Sequence, residues 1–341
     1  MPQERKVLNP KMKRDTAYII PPMVLSRHLE KRVLKRRDIV SYYTERHGMR
    51  NPIEKTYIIT LDMYAMLFDC CEKYYNNIAW KYPEECADGY GCCGLDWTKF
   101  NTALKFEIPS LYRNSNGYIE KPSKNWRGEL EEYDQYALLD YIEFMAQNCK
   151  DVEVGSFHSY FGHHHLQCKQ TRWICTAFKS EINDIFTKTG LLYKLTDDKI
   201  IERIVENSPL TPDIETSISQ VQERGVRELL QEAIALYKQP YPGSCRNAVE
   251  KIWDALERLK TYYTTMDKKA SASQIVNDIA DGQANFVELF DEEFKALTKI
   301  GNNYRIRHHE TDKIDITDDR HFDYFFNRCL SLISLAIHYL K

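Results

Sequence analysis

The stretch AVEKIWDALERLKTYY, residues 248–263, has the pattern of an amphipathic helix. Its apolar side chains recur every three or four residues, the spacing that aligns them on one face of an α-helix. Neighbouring segments share this period, and the connections between them are short. Short connections favour antiparallel neighbours, so this region is predicted to be a bundle of four or five antiparallel helices. The helical segments are residues 221–237, 246–263, 272–280, 285–300 and 318–341.

Two of these helices carry recognisable start signals. Ser244 follows a Pro-Gly pair and is predicted to cap the helix that contains Trp253. Thr317 and Asp318 are predicted to open the last helix, because their side-chain oxygens can accept hydrogen bonds from the free N–H groups of a first turn. The helix over 285–300 is predicted to bury Phe286, Leu289, Phe290, Phe294 and Leu297.

The N-terminal part of the chain mixes helical and strand patterns. Residues 191–205 alternate apolar and polar side chains on both sides of the sequence Thr-Asp-Asp, which predicts a β-hairpin. Residues 82–127 include four Gly, four Asn and three Cys and are predicted to form long surface loops. Apolar spacing predicts helices over residues 22–40, 54–81, 130–148 and 178–189, the last of them ending at Gly190.

The segment 206–217 contains two prolines with Ser and Thr and lacks an apolar stripe, which is typical of a domain boundary. The predicted fold class is therefore mainly α, with two domains. Residues 1–210 form an α-rich N-terminal domain with a small β-hairpin, and residues 218–341 form the antiparallel helix bundle.

The charge balance limits the kind of partner that the protein binds. The 341 residues include 47 Lys and Arg and 50 Asp and Glu, a net charge of −3, which excludes a generally basic surface for nucleic acid. Residues 1–38 nevertheless carry 11 basic and four acidic side chains. The helix predicted over residues 22–40 carries several of these basic side chains. They either lie on an ordinary solvated face or contact the phosphates of RNA. The candidate substrate-binding residues are Arg32, Lys35, Arg36 and Arg37.

The first 15 residues are charged and lack an apolar stretch, so no secretory signal is expected, and the apolar run 329–340 is far shorter than the roughly 20 residues that cross a bilayer. The ten cysteines lack the dense spacing of a small disulfide-linked domain, so reduced thiols are expected. We therefore expect a cytoplasmic protein without a membrane partner.

The segment GNNYRIRHHE, residues 301–310, places two Asn, two Arg, two His and one Glu at the end of an amphipathic helix. If it is helical, Arg305 and His309 share a face. An imidazole can move a proton at neutral pH, and a guanidinium can stabilise a phosphate in its transition state. That combination is suited to cleaving RNA without a metal ion. A solvated helix end with basic side chains near the C-terminal dipole is the alternative.

Residues 248–263, the NNYRIRHHE segment and the Phe-rich last helix resemble the C-terminal HEPN domain of AbiJ-like bacterial abortive-infection proteins. The resemblance covers residues 218–341. Residues 156–168 and 181–195 resemble segments that recur upstream of HEPN domains in these defence proteins. The resemblance implies antiviral defence by a metal-independent endoribonuclease that binds RNA, forms a homodimer through its bundle and responds to a phage-derived trigger.

The HEPN signature is an Arg, often followed by a polar residue, and then a His four to six residues further on. The resemblance places Asn302 in the Arg position, Asn303 in the polar position and His308 in the His position. Asn302 carries no charge, which leaves two interpretations. Either Arg305 or Arg307 supplies the charge, with His309 as a further candidate, or the domain is inactive and serves RNA binding or dimerisation.

Two groups of side chains have the chemistry of zinc ligands. One comprises His158, His163, His164 and His165 with Cys168, and the other comprises Cys86, Cys92 and Cys93 with Cys70 and Cys71. Neither group has the spacing of a known zinc motif, so packed histidines and structural thiols are favoured and no metal is expected. Phosphate-binding loops and dinucleotide-binding glycine motifs are absent from the sequence, so no cofactor is expected.

Overall fold

The computed structural model describes residues 42–124, 131–206, 208–241, 243–306 and 312–340. The chain divides into two compact units, Met1–Pro52 and Ile53–Lys341. The described part of the first unit contains one short helix, α1 (Tyr43–Arg46). The helix predicted over 22–40 and the basic residues Arg32, Lys35, Arg36 and Arg37 lie outside the described residues.

The first part of the second unit packs helices around one hydrophobic cluster that runs from Ile59 to Ile201. The predicted helix over 54–81 is shorter than expected, and a 3-10 turn (Tyr75–Ile78) follows it. The helix predicted from residue 178 begins earlier, because the Asp151 carboxylate accepts hydrogen bonds from its first N–H groups. The helices are α2 (Leu61–Glu72), α3 (Trp97–Glu107), α4 (Gln135–Asn148) and α5 (Trp173–Thr189).

A four-stranded antiparallel sheet, with strand order β1-β2-β4-β3, lies in the same part of the chain. Its strands are β1 (Pro83–Glu85), β2 (Cys92–Leu95), β3 (Val152–His158) and β4 (His163–Cys168). The prediction of long loops over 82–127 was therefore wrong, since this range contains β1, β2 and α3. Strands of three and four residues are too short for a clear alternation, and Asp96, which caps α3, is also a turn residue.

The predicted hairpin is confirmed. Strand β5 (Tyr193–Leu195) pairs antiparallel with β6 (Ile201–Arg203), and the two form a separate two-stranded sheet. Gly190 ends α5 in the left-handed region, as predicted, with φ of 77°. A Cβ atom at this position would also overlap the backbone carbonyl of Glu54, so only glycine allows the two segments to lie this close together.

In the described residues from 208 to 340 the regular elements are helices, and they pack around a second hydrophobic cluster, from Ile218 to Ala336. A short helix occupies the second half of the predicted boundary segment, where Thr211 caps the start and Pro212 takes the first position. The domain boundary itself stays a prediction. The helices are α6 (Pro212–Ser219), α7 (Arg224–Tyr237), α8 (Ser244–Leu259), α9 (Lys268–Ala280), α10 (Ala284–Asn303) and α11 (Asp319–Tyr339).

Two details of the bundle differ from the sequence-based expectation. Gly243, not Ser244, is the N-cap of α8, and the Ser244 hydroxyl instead donates to the Gln239 carbonyl. On α10, Phe286 and Leu289 are 42% and 53% exposed, because neighbouring helices cover only the C-terminal half of the apolar stripe. Asp318 caps α11 as predicted.

The second unit is thus rich in helices with a small antiparallel sheet and a hairpin. None of the helices in the described ranges has the length and apolar character needed to cross a membrane.

Candidate functional site

The C-terminal end of α10 carries the first residues of the predicted catalytic segment. The helix ends at Asn303, and Tyr304 turns into an extended conformation, with φ of −96° and ψ of 155°. Arg305 is therefore not helical, so the condition under which it would share a helical face with His309 is not met at Arg305. The extended backbone at Tyr304 instead forms a parallel bridge with Ile314, which takes the chain out of the helix.

Backbone hydrogen bonds join the residues at the end of α10 to Ile314. The Arg305 N–H donates to the Ile314 carbonyl, and the Ile314 N–H donates to the Asn303 carbonyl. The Arg305 guanidinium forms an ion pair with Asp315, with Nη1 2.8 Å from Oδ1. The candidates Arg307, His308 and His309 lie outside the described residues.

A groove of about 380 Å³ runs beside the end of α10, and both Asn302 and Asn303 line it. The other side chains on its wall include those of Lys260, Lys295 and Lys299. The carboxylate of Asp291 lies on the same wall. An anion such as a phosphate can therefore meet the exposed ammonium of Lys299 beside the two amides.

The three lysines differ in how they are held. Lys260 is only 7% exposed, and its ammonium donates to Glu257 and to the Thr298 hydroxyl. Burial raises the pKa of Glu257, but hydrogen bonds from Lys260 and Lys268 outweigh it, so the pKa lies below its usual value. Glu257 is thus ionised and offsets the charge of Lys260. Lys295 pairs with Asp291 on the same helix, whereas Lys299 is exposed to solvent.

Gly301 fixes the approach of α10 to α8 directly before the asparagines. The indole N–H of Trp253 donates to the Leu297 carbonyl over 3.0 Å, and Trp253 is completely buried. A Cβ atom at position 301 would lie 2.5 Å from Cδ1 of that indole. The glycine therefore allows α10 to lie this close to Trp253 of α8.

A second cluster is formed by side chains of β3, of β4 and of the loop after β1. Cys86, His158, His163 and His165 each offer one ligand atom, and these four atoms lie within 4.8 Å of one another. Cys86 Sγ is 3.5 Å from Nδ1 of His158. The Nε2 atoms of His163 and His165 are buried without a hydrogen-bond partner. These side chains can hold a metal ion, although the sequence favoured packing for all of them.

Asp88 is the carboxylate next to this cluster. Its Oδ2 atom lies 3.2 Å from Nδ1 of His158. A hydrogen bond from the Cys86 thiol lowers the pKa of Asp88, and the Tyr90 N–H lowers it further. Burial raises the pKa of Cys86, and the hydrogen bond to Asp88 adds to this effect.

The structure separates residues that the sequence had grouped. His164 points away from the cluster, because alternate residues of a strand face opposite sides, and its ring contacts Phe157. Cys168 is exposed at the far end of β4, where it pairs with Val152. Cys86 joins the histidines from a different segment. The spacing His163-x-His165 on a strand was the available signal, since residues two apart share a face.

Comparison with known families identifies a domain in the N-terminal part of the chain. The model of the AbiJ N-terminal domain 4 family matches residues 41–220, which is more than half of the 341 residues. The chain belongs to this AbiJ family. No curated protein and no solved structure matches the chain.

The AbiJ domain contains the four-stranded sheet, the cluster around Cys86 and the β5–β6 hairpin. The predicted relationship to AbiJ-like proteins is therefore confirmed, and an AbiJ-type domain indicates an abortive-infection-related protein of antiviral defence. Helix α10 and the groove beside Asn302 lie beyond the matched AbiJ range, and the HEPN assignment of the bundle remains a prediction.

Proposed function

We propose that this abortive-infection-related protein is a cytoplasmic defence protein whose C-terminal bundle is a metal-independent HEPN endoribonuclease. The observation that carries the proposal is the groove at the end of α10. There, Asn302 and Asn303 lie beside Lys260 and Lys299, immediately before the sequence that contains His308. The AbiJ domain supports the defence role.

The proposed reaction is an internal transfer at phosphorus. A base, which we assign to His308, takes the proton of a 2′-hydroxyl, and that oxygen attacks the adjacent phosphate. The 5′-oxygen leaves and takes up a proton, so the products carry 2′,3′-cyclic phosphate and 5′-hydroxyl ends. Lys299 is positioned on the groove wall to stabilise the additional negative charge on phosphate, and Arg305 can contribute if it exchanges its contact with Asp315.

Two further partners belong to this proposal. A second copy of the chain binds through the bundle, so that two equivalent segments face one cleft across a twofold axis. The N-terminal domain responds to a phage-derived trigger and releases the nuclease. Light scattering at micromolar concentration, with and without RNA, is expected to report a dimer, and a monomer under both conditions would contradict the dimeric site.

The decisive experiment incubates the purified full-length chain with total RNA in EDTA, with His308→Ala as the matched control. The parent protein is expected to generate fragments with 2′,3′-cyclic phosphate ends, and the variant is expected to generate none. Cleavage that stops in EDTA and returns with Mg²⁺ would contradict the mechanism.

A second candidate function, a non-catalytic HEPN module, is favoured by one specific observation. Asn302 is neutral, and the next described arginine along the chain, Arg305, is held by Asp315. Such a module would bind RNA or mediate dimerisation without cleavage. Retention of intact RNA by the parent protein in a filter-binding assay, with no cyclic phosphate product, would support this second function.

A further inference from the structure

We propose that Cys86, His158, His163 and His165 form a zinc-binding site with four protein ligands. Their ligand atoms are already grouped within 4.8 Å of one another. In a tetrahedral site with Zn–S of about 2.3 Å and Zn–N of about 2.0 Å, the sulfur and each nitrogen lie about 3.5 Å apart. The 3.5 Å between Cys86 Sγ and Nδ1 of His158 fits this arrangement.

The unsatisfied nitrogen atoms provide a second and independent argument. Nε2 of His163 and Nε2 of His165 are buried without a partner, which is costly for polar atoms. Neutral imidazole nitrogens of this kind are the commonest metal ligands. A bound cation would satisfy both atoms at once.

The strand register explains why these side chains converge. His158 at the end of β3 pairs directly with His163 at the start of β4, and His165 is two residues further along the same face. The rings of His158 and His165 lie 5.4 Å apart, and those of His163 and His165 lie 5.5 Å apart.

The loop after β1 brings the thiol to the histidines. Cys86 is 3% exposed and follows β1 directly, and its N–H donates to the Gly91 carbonyl. Gly91 adopts φ of 93°, a backbone conformation that favours glycine, and lies in van der Waals contact with the His165 ring.

The ligand set favours zinc over other common ions. One thiolate and three imidazoles suit a borderline-soft ion, whereas Mg²⁺ and Ca²⁺ prefer oxygen ligands. Four protein ligands complete a tetrahedron and leave no open position, which is typical of a structural site. The ion would tie the β1–β2 loop to the β3–β4 hairpin, next to the place where Cys92 of β2 pairs with Leu166 of β4.

The first test measures zinc in untagged full-length protein by elemental mass spectrometry after extensive dialysis. The parent chain is expected to retain about one zinc per chain, and C86S and H165A are expected to retain less than a tenth as much. Two matched controls come from the same strand: H164A removes a histidine of the opposite face, and C168S removes the exposed thiol. Both are expected to retain the zinc of the parent.

A second measurement needs no variant and is independent of folding defects. Cobalt added to the metal-free parent protein is expected to give the visible spectrum of tetrahedral Co²⁺ with a thiolate-to-metal band, and zinc should abolish that spectrum. Absence of bound zinc together with absence of the thiolate band would overturn the proposal. Equal zinc in the parent protein and in C86S would overturn it as well. If both controls also lose zinc, the cobalt spectrum decides between a site and a general loss of structure.

Discussion

The guanidinium of Arg203, on β6, forms an ion pair with Asp323 of α11, with Nη2 2.5 Å from Oδ1. The Arg203 side chain is 8% exposed, and its Cζ lies over the rings of Tyr57 and Tyr237, at 5.2 and 4.9 Å from their centroids. A second N–H of the guanidinium contacts the Cys245 sulfur. One arginine therefore joins the hairpin at the end of the first hydrophobic cluster to three helices of the second.

Removing this arginine is expected to destabilise the protein strongly. Arg203→Met leaves Asp323 without its counter-charge in a largely enclosed position, which costs on the order of 3 kcal/mol of unfolding free energy. Urea denaturation of the parent chain, Arg203→Met and the double variant Arg203→Met/Asp323→Leu measures the effect. The double variant should regain part of the loss, whereas Arg224→Ala, which breaks an exposed pair with Glu228, should cause no measurable change.

Because Gly301 packs against Trp253, replacing it with alanine is expected to lower the stability of the chain, although helix propensity alone predicts an increase. Alanine is favoured over glycine in a helix interior by about 1 kcal/mol, yet Gly301→Ala should destabilise the chain by about 1–3 kcal/mol because its methyl group would overlap the indole. Thermal unfolding and tryptophan fluorescence report both effects. Lys299→Ala, two residues earlier on the same helix and exposed, is the control and should leave the melting temperature unchanged. A stabilised Gly301→Ala variant would contradict the close packing.

The start of α7 is expected to weaken in acid. Arg258 donates two hydrogen bonds to Glu223, which lowers the pKa of that carboxyl from 4.5 to about 2, and Glu223 also accepts from the Val226 N–H as the cap of α7. Because the pKa is lower in the folded chain than in the unfolded chain, the stabilisation is complete above pH 4.5 and is lost as the pH falls toward 2.

Glu223→Gln isolates this contribution. Its unfolding free energy should fall below that of the parent chain at pH 7, and the two curves should converge as the pH falls from 4.5 to 2. Denaturant titrations at several pH values give the curves. A constant difference down to pH 2 would contradict the assignment to Glu223.

The catalytic proposal predicts a graded set of activities. His308→Ala and Arg305→Ala should each reduce RNA cleavage or toxicity by on the order of 10²-fold or more, while His309→Ala should be milder. Asn302→Arg should increase cleavage, because Asn302 lines the groove and the new guanidinium would add charge there. Circular dichroism serves as the folding control. Parent-like activity in all three alanine variants would contradict the catalytic proposal and support the non-catalytic function.

The basic N-terminal segment has a separate test. If Arg32, Lys35, Arg36 and Arg37 contact RNA phosphates, replacing each by Ala should weaken binding and reduce the slope of log affinity against log salt by about 0.7–0.9 per lost contact. Fluorescence anisotropy with a labelled RNA across a salt series measures the slope. An unchanged slope would contradict phosphate contacts and support the alternative, in which these side chains are simply solvated.

Local patterns in the sequence determined the regular elements of the bundle. The apolar period of residues 246–263 predicts the buried face of α8, where Val249, Ile252 and Trp253 are completely buried. The alternation over 191–205 predicts the β5–β6 hairpin, and Gly190 predicts the end of α5. These features depend on residues within a few positions of one another, so their physical cause is contained in a short stretch of chain.

Only the tertiary structure decided which distant side chains meet. Cys86 lies 72 residues before His158 and reaches it through the pairing of short strands, and the same pairing excludes His164 and Cys168. Arg203 of β6 and Asp323 of α11 form an ion pair across 120 residues of sequence. Register between strands and the choice of packed faces arise from the summed burial of many side chains, and no local spacing specifies that sum.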